Sequence, residues 1–301
     1  MNLTEISRGS VVVGFDGSPD ARRAAEWAAG VADSEHRQLV LLHAEAPLSS
    51  TYAGTLGAWG VDAQALRAAL TDAATQLLRK EARRLGELFP AVDVRASSEL
   101  VDPRQALIEV SRQAYLIVVG SRGRGPIASR LLGSVSSALS GRAHCPVVVI
   151  RPEKDDAAHG APPRHGVIVA VDGAGESLPA IEFAYAQAAR LGEPLRLLHC
   201  IFDVRVAIGD VDPDHDDDHA ESRMVIAASV AGMAEKYPDV EAISDVEHGL
   251  VDERLLELSQ SASLLVLGHH RRTGLRRLLY LSVAAAVLER ASGPVAVVPE
   301  H

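Results

Sequence analysis

Lysine is nearly missing from this chain: Lys80, Lys154 and Lys236 are the only three among 301 residues. A phosphate-binding loop of the Walker type, which ends its glycines in a lysine, has nothing to draw on between Lys80 and Lys154. Cysteine is equally scarce. Cys145 and Cys200 form no CxxC pair and cannot build a disulfide framework, so both read as small apolar fillers. No apolar run reaches the ~18 residues of a membrane span. The polar start, Met1 to Ser10, lacks the apolar core of a signal peptide, so a cytoplasmic protein without a membrane partner is expected. Positive charge is short as well: 30 Lys and Arg against 40 Asp and Glu leave a net charge of −10. That balance argues against a nucleic-acid partner, which calls for a basic face. A phosphate ligand survives the exclusion, because a pocket depends on local donors. The remaining composition, 47% hydrophobic and 23% charged, excludes a disordered or collagen-like chain, and the length suggests two domains.

What the chain does have is a repeat. Val11-Val12-Val13-Gly14-Phe15-Asp16-Gly17 recurs as Val167-Ile168-Val169-Ala170-Val171-Asp172-Gly173, and Leu41-Leu42-His43 recurs as Leu197-Leu198-His199, both at an offset of 156. Leu100-Val101-Asp102 matches Leu250-Val251-Asp252 at 150, and Val118-Val119-Gly120 and Pro146-Val147 match Val266-Leu267-Gly268 and Pro294-Val295 at 148. Register held over five blocks, with two small steps where loops shorten, marks a duplicated domain. Prolines and charges without apolar periodicity separate the copies, giving domains at residues 1–152 and 166–301 with a linker at 153–165.

Within the first copy strands alternate with helices. Strands are expected at Val11 to Phe15, Gln38 to Ala44, Val92 to Ala96, Leu116 to Val119 and Val147 to Ile150. Helices are expected after the cap Ser18 and Pro19, at Asp62 to Phe89, Pro103 to Gln113 and Ser134 to Arg142. In the long helix, Ala65, Leu66, Ala69, Leu70, Ala73, Leu77 and Leu78 form an apolar stripe that should cover the sheet. The pattern predicts an α/β protein of two tandem, open, doubly wound, mostly parallel five-stranded sheets with helices on both faces. Each copy ends in an edge strand, Val147–Ile150 or Val295–Val298, that needs covering, so a pseudo-twofold relation is expected. Ligands of such sheets sit at the carboxyl ends of the strands, here just after Phe15, Leu42 and Val119.

After the fourth strand comes Gly120-Ser121-Arg122-Gly123-Arg124-Gly125-Pro126, continuing to Leu132-Gly133-Ser134-Val135-Ser136. Glycines let the backbone approach a ligand, and Gly133-Ser134 opens a helix whose free N–H groups and positive dipole end favour an anion. Ser134 and Ser136 add hydroxyls, and Arg122 and Arg124 add charge. The loop lacks the lysine of a Walker A motif and has neither the spacing nor the position of the dinucleotide fingerprint.

The spacing Gly120-x2-Gly123-x9-Gly133-Ser134 resembles the nucleotide-binding motif of ATP-binding universal stress proteins. Gly14-Phe15-Asp16-Gly17-Ser18, Leu42-His43-Ala44 and His144-Cys145-Pro146-Val147-Val148-Val149 extend the likeness, which covers essentially the whole chain as two tandem domains. The resemblance implies ATP lying across the strand ends and a stress-related regulatory role. Carried over by position, Gly14 and Asp16 lie beside the ribose and phosphates, and the Ala44 backbone meets the adenine. Gly120, Arg122, Gly123, Gly133, Ser134, Val135 and Ser136 would hold the phosphates. From the residues alone, a carboxylate at Asp16 suits a ribose hydroxyl or a magnesium-bound water, or else a turn that caps the first helix. ATP with Mg2+ is therefore the expected ligand, an unidentified regulatory protein the expected partner, and a homodimer a further expected assembly.

No Ser-His-Asp set, catalytic carboxylate pair or nearby lysine accompanies the loop, so a regulatory module is favoured over an enzyme. The alternatives are a slow ATP hydrolase or adenylyl-transferring enzyme, with Asp16 as its one nominee, and an interaction protein whose nucleotide is structural. In the second copy Arg271 replaces Gly123 and Leu281 replaces Gly133, while Gly268, Asp172 and Ser282 persist. One competent site, in the first copy, is expected. A different anion site on Arg271, Arg272, Arg276 and Arg277 is the competing reading. Elsewhere, Asp212-x-Asp214-x-Asp216 fails as a calcium loop because Asp217 and Arg223 occupy its sixth and twelfth positions. It reads as a mobile acidic loop, and residues 203–221 carry most of the chain's net negative charge. His43 and His199, at corresponding strand ends, should satisfy backbone partners. Tyr52 and Trp59 precede the long helix in a loop suited to a lid or a contact.

Overall fold

A computed structural model of the protein describes residues 6–47, 49, 55, 58, 59, 62–123, 132–152, 164–171, 178–201, 224, 226, 227, 230–269 and 275–299. Tyr52, Arg124, Asp172, Arg271, Arg272, most of the linker and the acidic segment 209–221 lie outside the described residues, as do the side chains of Arg276, Arg277, Leu281 and Ser282. The chain divides into two compact units, one built mostly of residues up to Cys145, the other mostly of residues from Pro146 onward.

The first unit runs β1 (Val11–Gly14), α1 (Pro19–Ser34), β2 (Leu39–Ala44), α2 (Ala63–Leu88), β3 (Val94–Glu99), α3 (Pro103–Val110), β4 (Leu116–Gly120) and α4 (Ser134–Arg142). Its strands lie in the order β3-β2-β1-β4, all parallel. The order reverses between β1 and β4, and Gly14 pairs in register with Val119, so the two loops that leave these strands start side by side. Val11, Val12 and Val13 are fully buried, because a strand covered on both faces has no polar side to alternate.

Helix α1 explains how close the layers come. Ser18 caps it, accepting from the Ala21 N–H at 3.2 Å, with Pro19 at the first helical position. Its buried face is Ala21, Ala24, Ala25, Ala28 and Ala29, which hold no bulk and let the helix settle against β1 and β4. Helix α2 starts at its cap Asp62 and runs to Leu88, as the periodicity predicts, but the expected stripe is only half used. Ala65, Ala69 and Ala73 are exposed, and burial begins at Ala74 and continues through Leu78, Glu81 and Leu85. Strand β3 begins two residues later than expected, because Val92 is held in a turn by its N–H to the Phe89 carbonyl, 3.1 Å.

In the second unit β5 (Val147–Ile150), β6 (Val167–Ala170), α5 (Leu178–Leu191), β7 (Leu195–Ile201), α6 (Met233–Lys236), β8 (Ala242–His248), α7 (Val251–Leu258), β9 (Leu264–His269), α8 (Leu275–Arg290) and β10 (Val295–Pro299) follow in turn. The order is β5-β10-β9-β6-β7-β8, parallel except for β5, which pairs antiparallel with β10. Val147, Val148 and Val149 face Val297, Ala296 and Val295, so both terminal strands of the repeats have a partner. Duplication extends to single hydrogen bonds. The His144 N–H donates to Ser111 Oγ at 2.9 Å, and the Ser292 N–H donates to Ser259 Oγ at 3.0 Å.

Both cysteines are free. Burial pushes the Cys145 thiol up to about 12, and burial, aided by the negative charge of Glu247, pushes Cys200 up to about 11. At pH 8 each stays protonated and unreactive. A thiol-specific disulfide reagent is expected to label neither in the native protein and both after denaturation; fast native labelling would contradict the packing described.

Candidate functional site

The segment after β1 is a compact turn. Asp16 Oδ1 accepts from the Ser18 N–H at 2.9 Å, an Asx turn that fixes the carboxylate above the start of α1. At the neighbouring strand end, His43 Nδ1 donates to the Phe15 carbonyl at 2.8 Å, and His199 repeats this against Val171 at 2.7 Å. These bonds fix the Nδ1–H form of both rings and tie the ends of adjacent strands, as expected for structural histidines. Ala44, the last residue of β2, is partly exposed one strand away from the turn and pairs with Glu99.

The glycine loop leaves β4 beside this turn and is held at both ends. Ser121 Oγ donates to Asp20 Oδ2 at 2.9 Å, and Ser18 Oγ donates to the Arg122 carbonyl at 3.3 Å. The Gly133 N–H donates to the Ser121 carbonyl at 3.0 Å, and Ser136 Oγ to the Gly120 carbonyl at 3.0 Å, closing the loop onto itself. Arg122 and Gly123 are exposed between these ties.

Each glycine has its own reason. At Gly120 a Cβ would lie 2.7–2.9 Å from Asp20 Cβ, Asp20 C and Ala21 N, so the helix backbone excludes any side chain. A Cβ on Gly123 would sit 2.7 Å from Asp16 Oδ2, which places the carboxylate directly over the loop. At Gly133 the nearest atom to a Cβ would be the Ser121 carbonyl, 3.2 Å away. At Gly14 a Cβ would meet Leu107 and Val119 side chains at 3.0 Å, so core packing also favours a small residue there.

Helix α4 opens at Gly133, which supplies no side-chain cap. The first N–H groups of a helix lack intrahelical acceptors, so those of Ser134, Val135 and Ser136 stand at the loop with the positive end of the dipole behind them. Ser134 is exposed, Val135 half-buried and Ser136 buried. Asp16, Arg122, Gly123, Gly133 and the start of α4 are thus brought together around one loop. An anion is what such a cradle can hold.

The second repeat is built differently at the matching place. Both α4 and α8 end on an arginine at the 148 offset, Arg142 and Arg290, but α8 begins at Leu275 and α4 at Ser134, whose counterpart is Ser282. Leu281, unlike Gly133, continues the helix, so the N–H groups that match those opening α4 lie inside α8, where helical backbone bonds take them up. Sequence reading found the lost glycines; it did not foresee the longer helix. It also missed Asp20, which is buried and bonded to Ser121, because an acidic residue in a first helical turn needs no further explanation.

This doubly wound fold and its loop belong to one class. The chain belongs to the universal stress protein family, whose model matches residues 8–151 and again 164–299. Among its relatives, a universal stress protein of Mycobacterium tuberculosis is 37% identical over 295 residues, covering 95% of this chain and 96% of the relative. Another from Mycolicibacterium smegmatis is 34% identical over 289 residues, covering 96% of each. A solved universal stress protein from Archaeoglobus fulgidus shares the fold, with a TM-score of 0.68 at 19% identity over 99% of this chain and 98% of that one. No helix among the described residues is long and apolar enough to cross a membrane.

Proposed function

We propose that the chain is an ATP-binding regulatory module of the cytoplasm. One nucleotide binds at the glycine loop of the first repeat, and the second repeat serves as a partner domain without a site. The domain limits in this reading are 1–152 and 166–301, with 153–165 between them. The observation that carries it is the contrast between the uncapped start of α4, closed against Ser121 beside Asp16, and the helix α8 that runs through the matching place. Arg122 and the N–H groups of Ser134, Val135 and Ser136 take the phosphates, Asp16 faces the ribose side, and the Ala44 backbone meets the base.

Among the described residues no group of three or more His, Cys, Asp or Glu side chains could hold a metal on its own. Mg2+ therefore fits only as a companion of the nucleotide, with Asp16 holding one of its waters. That ion would neutralise the phosphates next to the Asp16 carboxylate. Titration with ATP is expected to give one site per chain, weakened severalfold when Mg2+ is chelated. In Asp16→Asn the chelator effect should disappear. Absence of any adenine-nucleotide binding overturns the reading, and so does binding that Asp16→Asn and chelation leave untouched.

A further inference from the structure

Glycine loops are pliable, and a pliable loop must be ordered each time a ligand binds. The two ends of this one are tied by the chain's own groups. Asp20 sits in the first turn of α1 with its side chain 9% exposed, one oxygen accepting from Ser121 Oγ at 2.9 Å and the other paired with Arg23. Ser121 is itself buried, although the next two residues, Arg122 and Gly123, are exposed. Its carbonyl in turn accepts from the Gly133 N–H, so one residue carries both the tie to α1 and the tie that closes the loop. Arg23 is held three residues along the same helix, which keeps the Asp20 carboxylate in place.

We propose that Asp20 is a positioning residue for the nucleotide site, holding the start of the glycine loop in place through Ser121 and thereby setting affinity. The inference rests on the nucleotide reading above. A residue that pre-orders a loop removes an ordering cost that binding would otherwise have to meet. The chain contains its own comparison. At the repeat offsets, Ser18, Asp20, Ser121 and Gly123 correspond to Ala174, Glu176, His269 and Arg271. The copy that lost the loop glycine has also lost both latch hydroxyls, while Gly120, whose role is packing, keeps its counterpart Gly268. Ser18 is a poor probe, because it also caps α1. The informative pair is Asp20 and Ser121.

Two readouts test the latch on the full chain. Without nucleotide, tryptic cleavage after Arg122 should be about five- to tenfold faster in Ser121→Ala and in Asp20→Ala, while cleavage at Lys80 in α2 is unchanged; Ser121→Thr should behave as the native protein. ATP affinity should fall about five- to tenfold in either alanine variant, and the double variant should bind no worse than Asp20→Ala alone. Additive losses, equal acceleration at Lys80, or native cleavage and affinity in Ser121→Ala would each overturn the proposal. If the native protein binds no ATP, the nucleotide reading fails, and the Arg122 cleavage rates still decide whether Asp20 holds the loop.

Discussion

Gly123→Arg is expected to weaken ATP binding at least about a hundredfold while moving the unfolding midpoint by no more than ~2 °C. The two halves of that expectation come from different atoms. What a Cβ would meet is one carboxylate oxygen, Asp16 Oδ2 at 2.7 Å, which can swing aside at the cost of one turn bond to the Ser18 N–H, and the position is exposed, so the fold can yield cheaply. The site cannot. Its carboxylate is pushed aside, and a long side chain occupies the surface that the phosphates must approach; a steric penalty of about 1–3 kcal/mol in the bound state alone corresponds to roughly five- to a hundred-and-fifty-fold. Because a guanidinium could itself pair with phosphate, Gly123→Leu is the companion variant, expected to lose as much affinity. The second repeat already lives with Arg271 at this position. Titration and thermal unfolding of both variants check the pair of claims.

Gly120→Ala should do the reverse. Here a Cβ would lie 2.7 Å from Asp20 Cβ, 2.8 Å from Asp20 C and 2.9 Å from Ala21 N. Two of those atoms are helix backbone, which cannot rotate away, so α1 must lift off β4 or the strand end must shift. Overpacking of this kind costs about 2 kcal/mol, a fall of roughly 4–8 °C in the midpoint of a domain this size. Binding should weaken as well, since Asp20 is displaced, but the primary loss is stability. A Gly120→Ala protein that melts like the native one would show that α1 and β4 are not packed this closely. Gly123→Ala, by contrast, should stay within ~0.5 kcal/mol of the native stability.

That contrast marks where sequence reading stops. Repeat, parallel strands, helix starts at Ser18, Asp62 and Gly133, and the loop from Gly120 to Ser136 were all legible, because each depends on local chemistry or on periodicity. Glycines do not announce their reasons. Gly14 and Gly123 look alike in a motif, yet one packs tightly against Leu107 and Val119 in the core and the other lies against Asp16. The Asp20–Ser121 bond joins residues 101 apart in sequence, beyond any local pattern. Helix α2 misled because its stripe is uniform in composition while burial begins only at Ala74. Helix α8 runs through the position where Leu281 replaces Gly133, an extension that no single residue announces.

The most direct test is the nucleotide content of the protein itself. Purified protein saturated with ATP, freed of excess and then denatured, should release one adenine nucleotide per chain, and Gly123→Arg treated in the same way should release none. Two nucleotides per chain, or one that persists in Gly123→Arg, would place binding outside the first repeat's loop. No nucleotide from the native chain, together with no binding in titration, would contradict the account outright.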